Sequence, residues 1–337
     1  MEEQTSSAGA QTLVGDKKSF QVAGFWRRGF AFAIDTFIVS LPFGLFGFLF
    51  TDIAVQLGPW GHVTTFVALI IYFAIFDSRI GKGQSLGKRL MKLRVIHADG
   101  AELSVKEAFI RACLVVPILM FNGWTIPLPG SIPPLISSSI FFGGGLAFVY
   151  AYIFNRETRQ CIHDLLTHSY VVKGVYEGSV LKQTSTFHQR ITYGLLMAGI
   201  VATIVLSYFV NPESIFNSPG LSQMVSLRES LLMQPGVTDA GVQFKNYVEI
   251  VGTGTGAYSE LILTLKVNQS CNKNEDFCKE LLKRSAEKAI SEYKNIEEYD
   301  FLRVELLYGF DLGLASGTYT YGDSRTIDEW KSGEASE

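Results

Sequence analysis

The chain has 337 residues, of which 47% are hydrophobic and only 18% charged, whereas soluble globular proteins carry about 25% charged residues. This composition excludes an intrinsically disordered chain, and the net charge of −3 excludes a broadly basic nucleic-acid-binding protein. The charges are unevenly divided: residues 1–210 contain 17 basic and 12 acidic side chains, and residues 211–337 contain 12 and 20. We therefore predict a basic membrane part followed by an acidic soluble part.

Apolar segments in the first 210 residues are long enough to cross a bilayer, which takes about 20 residues. The segment 29–51 carries one charged residue, Asp35, and the segments 53–76 and 191–210 carry none. The charge-free segment 112–154 is about twice as long and contains four prolines between residues 127 and 134, so it is predicted to form two helices joined by a turn. The five predicted spans are 29–51, 55–76, 110–127, 134–154 and 191–210.

Basic side chains are concentrated before the first predicted span, between the second and the third, and after the fourth. Lys and Arg favour the cytoplasmic side of a membrane, so the N-terminus and both basic connections are expected in the cytoplasm, against anionic lipid headgroups. Residues 1–20 are expected to be a disordered cytoplasmic segment and residues 176–190 a cytoplasmic linker. Five spans then place the C-terminal half outside the cell membrane.

The C-terminal half has the pattern of a soluble domain, predicted over residues 211–325 and followed by a disordered tail over 326–337. Helical and alternating apolar patterns occur in the order helix, two strands, helix, two strands. This order predicts a small α+β domain with an antiparallel sheet. Cys271 and Cys278 are expected to form a disulfide in an oxidising compartment. With no His after His188 and no paired nucleophile and base, we predict no enzyme activity, no cofactor and no metal site.

The most informative residue of the membrane part is Asp35, because a carboxylate inside a span is costly and rarely faces lipid. Arg28 precedes it by seven residues, on the same face of a helix. One interpretation is that Asp35 binds a cation or a proton and that Arg28 tunes its charge. The other is that Asp35 neutralises an arginine of the bundle or caps a backbone group. Arg111, at the edge of the third span, is expected to extend to the headgroups, with a position facing Asp35 as the alternative.

Three motifs resemble the RDD family of bacterial membrane proteins over roughly residues 22–175. They are GFWRRGFAFAID, GKGQSLGKRLMKLRVIHADG with EAFIRA, and RQCIHDLLTHSYVVK. The Arg and the two Asp that name the family match Arg28, Asp35 and Asp164. The chain departs from the family at 167–168, where Thr-His stands in place of a frequent Gly-Thr pair. The resemblance implies a bacterial inner-membrane module of proposed transport function, with sodium/proton exchange in some members.

Two hypotheses for function follow. In the first, the protein is a small transporter or cation/proton exchanger with Asp35 as the coupling group, assisted by Arg28 and Asp164. A homodimer is then expected, because five spans form a small bundle for a permeation pathway. In the second, the membrane bundle is an anchor or scaffold that presents the external domain to a protein partner. The overall prediction is a helical multi-pass membrane bundle of about five spans followed by a soluble α+β domain.

Overall fold

The computed structural model describes residues 21–120, 132–173, 184–209, 219–251 and 254–333. These residues divide into two compact units. The first unit contains the described parts of 21–35, 69–120 and 140–199, and the second contains those of 36–68, 132–139 and 200–333. Several predicted features lie outside the described residues: the N-terminal segment 1–20, the end of the third span with the turn after it at 121–131, linker residues 176–183, residues 210–218 and the end of the tail at 334–337.

Four helical segments among the described residues are long and apolar enough to cross a membrane: Phe25–Leu49, Thr51–Phe76, Leu135–Ile153 and Thr186–Tyr208. They coincide with four of the five predicted spans, and three of them begin four or five residues earlier than predicted. The remaining predicted span, 110–127, is represented by a helix at Val105–Met120. Residues 121–127 of this span are not described. The helices of this half are α1 Phe25–Leu49, α2 Thr51–Leu57, α3 Gly61–Phe76, α4 Leu86–Leu90, α5 Val105–Met120, α6 Ile132–Ser139, α7 Gly145–Ile153, α8 Ile162–Leu166 and α9 Thr186–Phe209.

Besides helices, the first unit contains a small three-stranded sheet. Its strands are β1 Gln21–Val22, β2 Leu93–His97 and β3 Ser169–Lys173, in the order β1-β3-β2 with both pairings antiparallel. A turn follows β2 at Gly100, which has the positive φ of 87° that suits glycine. The sheet covers a buried cluster that includes Leu93, Val95 and Val171. It thereby ties the two connections predicted to be cytoplasmic to the residues just before α1.

The second unit contains the predicted α+β domain. Its elements are α10 Pro219–Leu232, β4 Val237–Val251, β5 Gly254–Val267, α11 Glu275–Glu292, β6 Phe301–Asp311, β7 Ser316–Arg325 and α12 Ile327–Ser332. The strands form one sheet in sequence order, and buried side chains of α10, α11 and α12 pack on it. The predicted order of helices and strands is confirmed.

Two details of this domain differ from the prediction. The pairing of β5 with β6 is parallel, although the outer two pairings are antiparallel, because the helical crossover α11 returns the chain to the end of the sheet from which β5 started. The tail predicted to be disordered over 326–337 begins with α12. This helix is started by a capping box between Thr326 and Glu329 and held by the buried indole of Trp330, which donates to the Leu302 carbonyl at 2.8 Å.

Within the second unit, the α+β domain also packs against the short helix α2. Ala54 of α2 shares a buried cluster with Phe310 and Leu312 at the end of β6. Asp52 accepts hydrogen bonds from Lys273 Nζ at 2.6 Å and from the hydroxyl of Tyr308. The domain is therefore fastened to the first residues of the second candidate membrane helix, Thr51–Phe76, by both apolar and polar contacts.

Candidate functional site

The Asp35 carboxylate is fully buried in the first unit and accepts three hydrogen bonds. Oδ1 accepts from the Tyr72 hydroxyl at 2.7 Å and the Gly87 amide at 2.6 Å, and Oδ2 accepts from the Ser85 hydroxyl at 2.5 Å. Ser85 in turn caps the N-terminus of α4, where the first backbone amides of a helix lack internal partners. Asp35 thus fixes the beginning of α4 against α1.

Close approach between these two helices depends on Gly87. A Cβ atom at this position would lie 2.1 Å from the Ala31 carbonyl oxygen and 3.0 Å from the carboxylate carbon of Asp35. No larger residue fits without displacing the backbone of α1 or α4. The local sequence Ser-Leu-Gly therefore supplies a capping hydroxyl, an amide donor and the space that the Asp35 interaction needs.

Asp164, at the third position of α8, is buried between two arginines. Arg111 approaches its Oδ1 with Nε at 3.1 Å and Nη2 at 3.0 Å, and Arg28 Nη1 lies 3.4 Å from its Oδ2. Nη1 of Arg28 also donates to the Arg159 carbonyl at 2.9 Å, and its Nη2 donates to the Val171 carbonyl at 3.2 Å. One carboxylate therefore joins α8 and β3 to both α1 and α5.

A second carboxylate, Asp77, extends this network at the end of α3. Arg111 Nη1 donates to Asp77 at 2.6 Å, and the ammonium of Lys88 on α4 pairs with its other oxygen. Neither residue is identified from the sequence, because Asp77 directly follows the second predicted span and Lys88 is one of many cations in a connection expected against lipid headgroups. Both are at least nine-tenths buried. Together Arg28, Lys88, Arg111, Asp77 and Asp164 form the charge network, with three cations and two carboxylates.

The four predicted site residues separate into two groups. Arg28, Arg111 and Asp164 come together, whereas the three hydrogen bonds of Asp35 come from Tyr72, Ser85 and Gly87. Residues seven apart on a helix are about 10 Å apart along its axis, so Arg28 and Asp35 share a face without being in direct contact. The prediction that Arg111 extends to headgroups is wrong, because the buried carboxylates on both sides of it satisfy its guanidinium in the protein.

A cavity of about 190 Å³ lies beside the charge network. It is lined by Asp35, three cations of the network, and His163, with aromatic side chains completing the wall. Two buried polar atoms that border it, Arg28 Nε and His163 Nδ1, have no hydrogen-bond partner among the residues that the structure describes. When Asp35 is counted together with the charge network, three cations stand against three carboxylates, of which Asp35 lines the cavity.

Burial and neighbouring charges shift the pKa values of the groups in the connections. Burial lowers the pKa of His163 to about 4, and nearby Arg111 and Arg28 act in the same direction. Burial alone would raise the pKa of Asp164, but the adjacent cationic side chains outweigh it and hold the pKa below its ordinary value. Burial also lowers the pKa of Lys88, against the attraction of Asp77. At neutral pH His163 is uncharged and Asp164 is ionised.

Metal coordination finds no support in the described part of the chain, where no group of three or more His, Cys, Asp and Glu side chains could hold an ion. In the second unit, the sulfur atoms of Cys271 and Cys278 lie 2.13 Å apart. The predicted pair is thus placed at disulfide distance, joining the start of α11 to the loop before it.

Part of the chain is similar to a known protein family and to a bacterial protein. Residues 22–168 match the RDD family. A protein of Bacillus subtilis (strain 168), "Uncharacterized protein YckC", is 28% identical over 153 residues, which are 45% of this chain and 85% of the relative. No solved structure matches the chain significantly. The matched region contains Arg28, Asp35, Asp77, Arg111 and Asp164, and it ends before the α+β domain.

Proposed function

Residues 22–168 are an RDD family domain, and from this premise we propose that the domain is a membrane scaffold, without catalytic activity of its own, that holds the α+β domain at the outer surface of the cell membrane. The chain is a membrane protein with several apolar helices. The positions of its basic connections favour a cytoplasmic N-terminus.

The observation that carries the proposal is the set of three short hydrogen bonds that protein donors make to Asp35. Both of its oxygens are taken by protein donors at 2.5–2.7 Å, and one of them accepts two hydrogen bonds. A coupling carboxylate must exchange its ligands during each cycle, and here ligand exchange would break the start of α4. Asp77 and Asp164 are likewise each held by two cations. These carboxylates are suited to holding chain segments together.

The attachment of the α+β domain to α2 supports the same role. Because Asp52 bonds Lys273 and Tyr308 while Ala54 packs with Phe310 and Leu312, the domain has a second connection to the membrane helices besides α9. Two connections fix the orientation of a domain better than one flexible linker does. An oxidising compartment outside the membrane would also allow Cys271 and Cys278 to form their disulfide. The domain is then available to an extracytoplasmic protein partner.

The test combines a flux measurement with a measurement of domain attachment. Wild-type protein in vesicles with an internal pH dye should move protons no faster than empty vesicles when a sodium gradient is applied. Hydrogen exchange should show that Asp52→Ala increases exchange at the β6 amides near Phe310, while the matched surface variant Glu287→Ala leaves it unchanged. Sodium-dependent proton flux in the wild type, or unchanged exchange in Asp52→Ala, would contradict the scaffold.

Transport is the second candidate, and the cavity beside Asp35 is the observation that favours it. Its wall combines a carboxylate with cations, and the unpartnered Arg28 Nε and His163 Nδ1 could bond to a small polar ligand or to water. In this case Asp35→Asn should abolish a flux that wild-type vesicles show, while the protein still inserts and elutes as a folded species. Equal flux in both proteins would remove Asp35 from the coupling role.

A further inference from the structure

A second, larger concavity of the first unit has a different character from the cavity beside Asp35. It is a groove of about 620 Å³ between the N-terminal end of α1 and the C-terminal end of α7, next to β1 and β3. Four of its lining residues are cationic, Arg27, Arg156, Arg159 and Lys173, and none is acidic. We call these residues and the surface between them the basic groove.

The cations of the basic groove lack acidic partners in the described part of the chain. Within the described ranges, none of the four forms an ion pair, in contrast to Arg28, Lys88 and Arg111 nearby. Four unpaired cations around one concavity repel each other unless an anion binds among them. The groove therefore has the electrostatic character of an anion site.

The backbone of Arg159 points to the same conclusion. Its φ of 48° lies in the left-handed region, which glycine or asparagine adopts more readily than arginine. The turn holds it there, since its amide donates to Asn155 and its carbonyl accepts from Arg28. Its guanidinium lies over Gly24, where an added Cβ would meet Nη1 at 3.3 Å. Backbone strain of this kind is characteristic of positions where a side chain serves a site.

The other wall of the basic groove identifies the anion as a lipid. Val149 and Ile153 belong to a candidate membrane span and are about half exposed, while Phe25 is 40% and Trp26 72% exposed at the start of another. Exposed aliphatic side chains of a span contact acyl chains, and aromatic side chains at its end lie at the headgroup level. A free phosphate compound would leave this apolar wall unused.

We propose that the basic groove binds the headgroup of an anionic phospholipid of the inner leaflet, with its phosphate among Arg156, Arg159 and Lys173 and its acyl chains along Val149 and Ile153. Basic pockets between membrane helices on the cytoplasmic side are known to hold such headgroups. The site is distinct from the charge network and does not depend on the scaffold role of the domain.

Native mass spectrometry of the full-length protein in detergent tests this proposal by titration with dioleoyl phosphatidylglycerol and with dioleoyl phosphatidylcholine. The wild type should bind the anionic lipid preferentially. Each lost cation weakens binding by about 5-fold, so Arg156→Gln combined with Lys173→Gln should weaken it by about 25-fold. The control, Arg89→Gln, removes an exposed cation of the other basic connection that does not line the groove, and it should retain wild-type affinity.

A second variant keeps the test independent of folding. Arg159→Gly removes a guanidinium and suits the positive φ at this position, so the melting temperature should stay constant or rise while lipid affinity falls about 5-fold. The proposal is overturned if the groove variants bind the anionic lipid as tightly as Arg89→Gln does. It is also overturned if the two lipids bind equally, or if glycerol phosphate without acyl chains competes as well as the lipid.

Discussion

Replacing Asp164 by Asn should destabilise the first unit strongly. The substitution keeps the size of the side chain but removes its charge. Arg28 then loses the carboxylate with which it forms an ion pair, and Arg111 loses one of its two carboxylate partners. Both arginines are more than nine-tenths buried. Removing one partner of a buried ion pair typically costs about 3–5 kcal/mol, because the remaining charge stays buried without compensation. With about 2–4 °C per kcal/mol, the melting temperature should fall by about 10 °C.

The assay is thermal unfolding in detergent, followed by a thiol-reactive dye. Cys161 is buried beside Asp164 and becomes reactive when the unit opens. Asp99→Asn is the matched control, since Asp99 is an exposed carboxylate whose bond to the Ala101 amide an asparagine can also make. Arg28→Gln added to Asp164→Asn should recover part of the loss, because it removes the uncompensated charge. If Asp164→Asn melts within about 2 °C of the Asp99→Asn control, the charge network contributes little to the stability of the first unit, and the prediction is wrong.

Three further predictions use other features of the chain. Gly87→Ala should lower the melting temperature markedly, because the added Cβ would collide with the α1 backbone. The control Gly145→Ala has no atom within 4 Å of the added Cβ and should leave the melting temperature unchanged or raise it. Equal effects of the two substitutions would refute the close approach of α4 to α1. Because burial lowers the pKa of His163 from 6.5 to about 4, the unfolded chain takes up the proton first, so stability should be constant above pH 6.5 and fall as pH decreases toward 4; the same fall in His163→Gln would exclude this group as the cause. Protein isolated from the cell membrane and denatured without reductant should titrate two thiols, and four after reduction, if Cys271 and Cys278 are oxidised outside; four thiols before reduction would contradict the external placement.

The residues of the charge network could be named only in part from the sequence. Arg28, Asp35, Arg111 and Asp164 stand out because charged residues are rare near apolar spans, whereas Lys88 is hidden among the other cations of a basic connection. The pairing of Arg28 and Arg111 with Asp164 could not be predicted, since these partners lie 136 and 53 residues apart in the chain and are brought together by tertiary packing. The Ser-Leu-Gly sequence before Lys88 is a helix-capping signal that, combined with Asp35, could have indicated how α4 begins.

In the α+β domain, local patterns predicted the elements better than their arrangement. Alternation of apolar residues identified β4 to β7, and the apolar face of α11 identified the helix between β5 and β6. A helix of 18 residues between two strands is itself a signal for parallel pairing, which the antiparallel prediction overlooked. The helix α12 escaped prediction because its six residues depend on a single buried anchor, Trp330, and so short a segment shows no periodicity.

The long sequence separation of the Arg28–Asp164 pair has a consequence for biosynthesis. Asp164 follows Arg28 by 136 residues, so at ordinary translation speeds the ribosome adds it roughly ten seconds later. During this interval Arg28 has already entered the bilayer region without its counter-ion, and β2 has no strand to pair with until β3 has been synthesised. The first unit can close only when the segment 161–173 leaves the ribosome, and a nascent chain arrested earlier would carry an uncompensated guanidinium at the membrane.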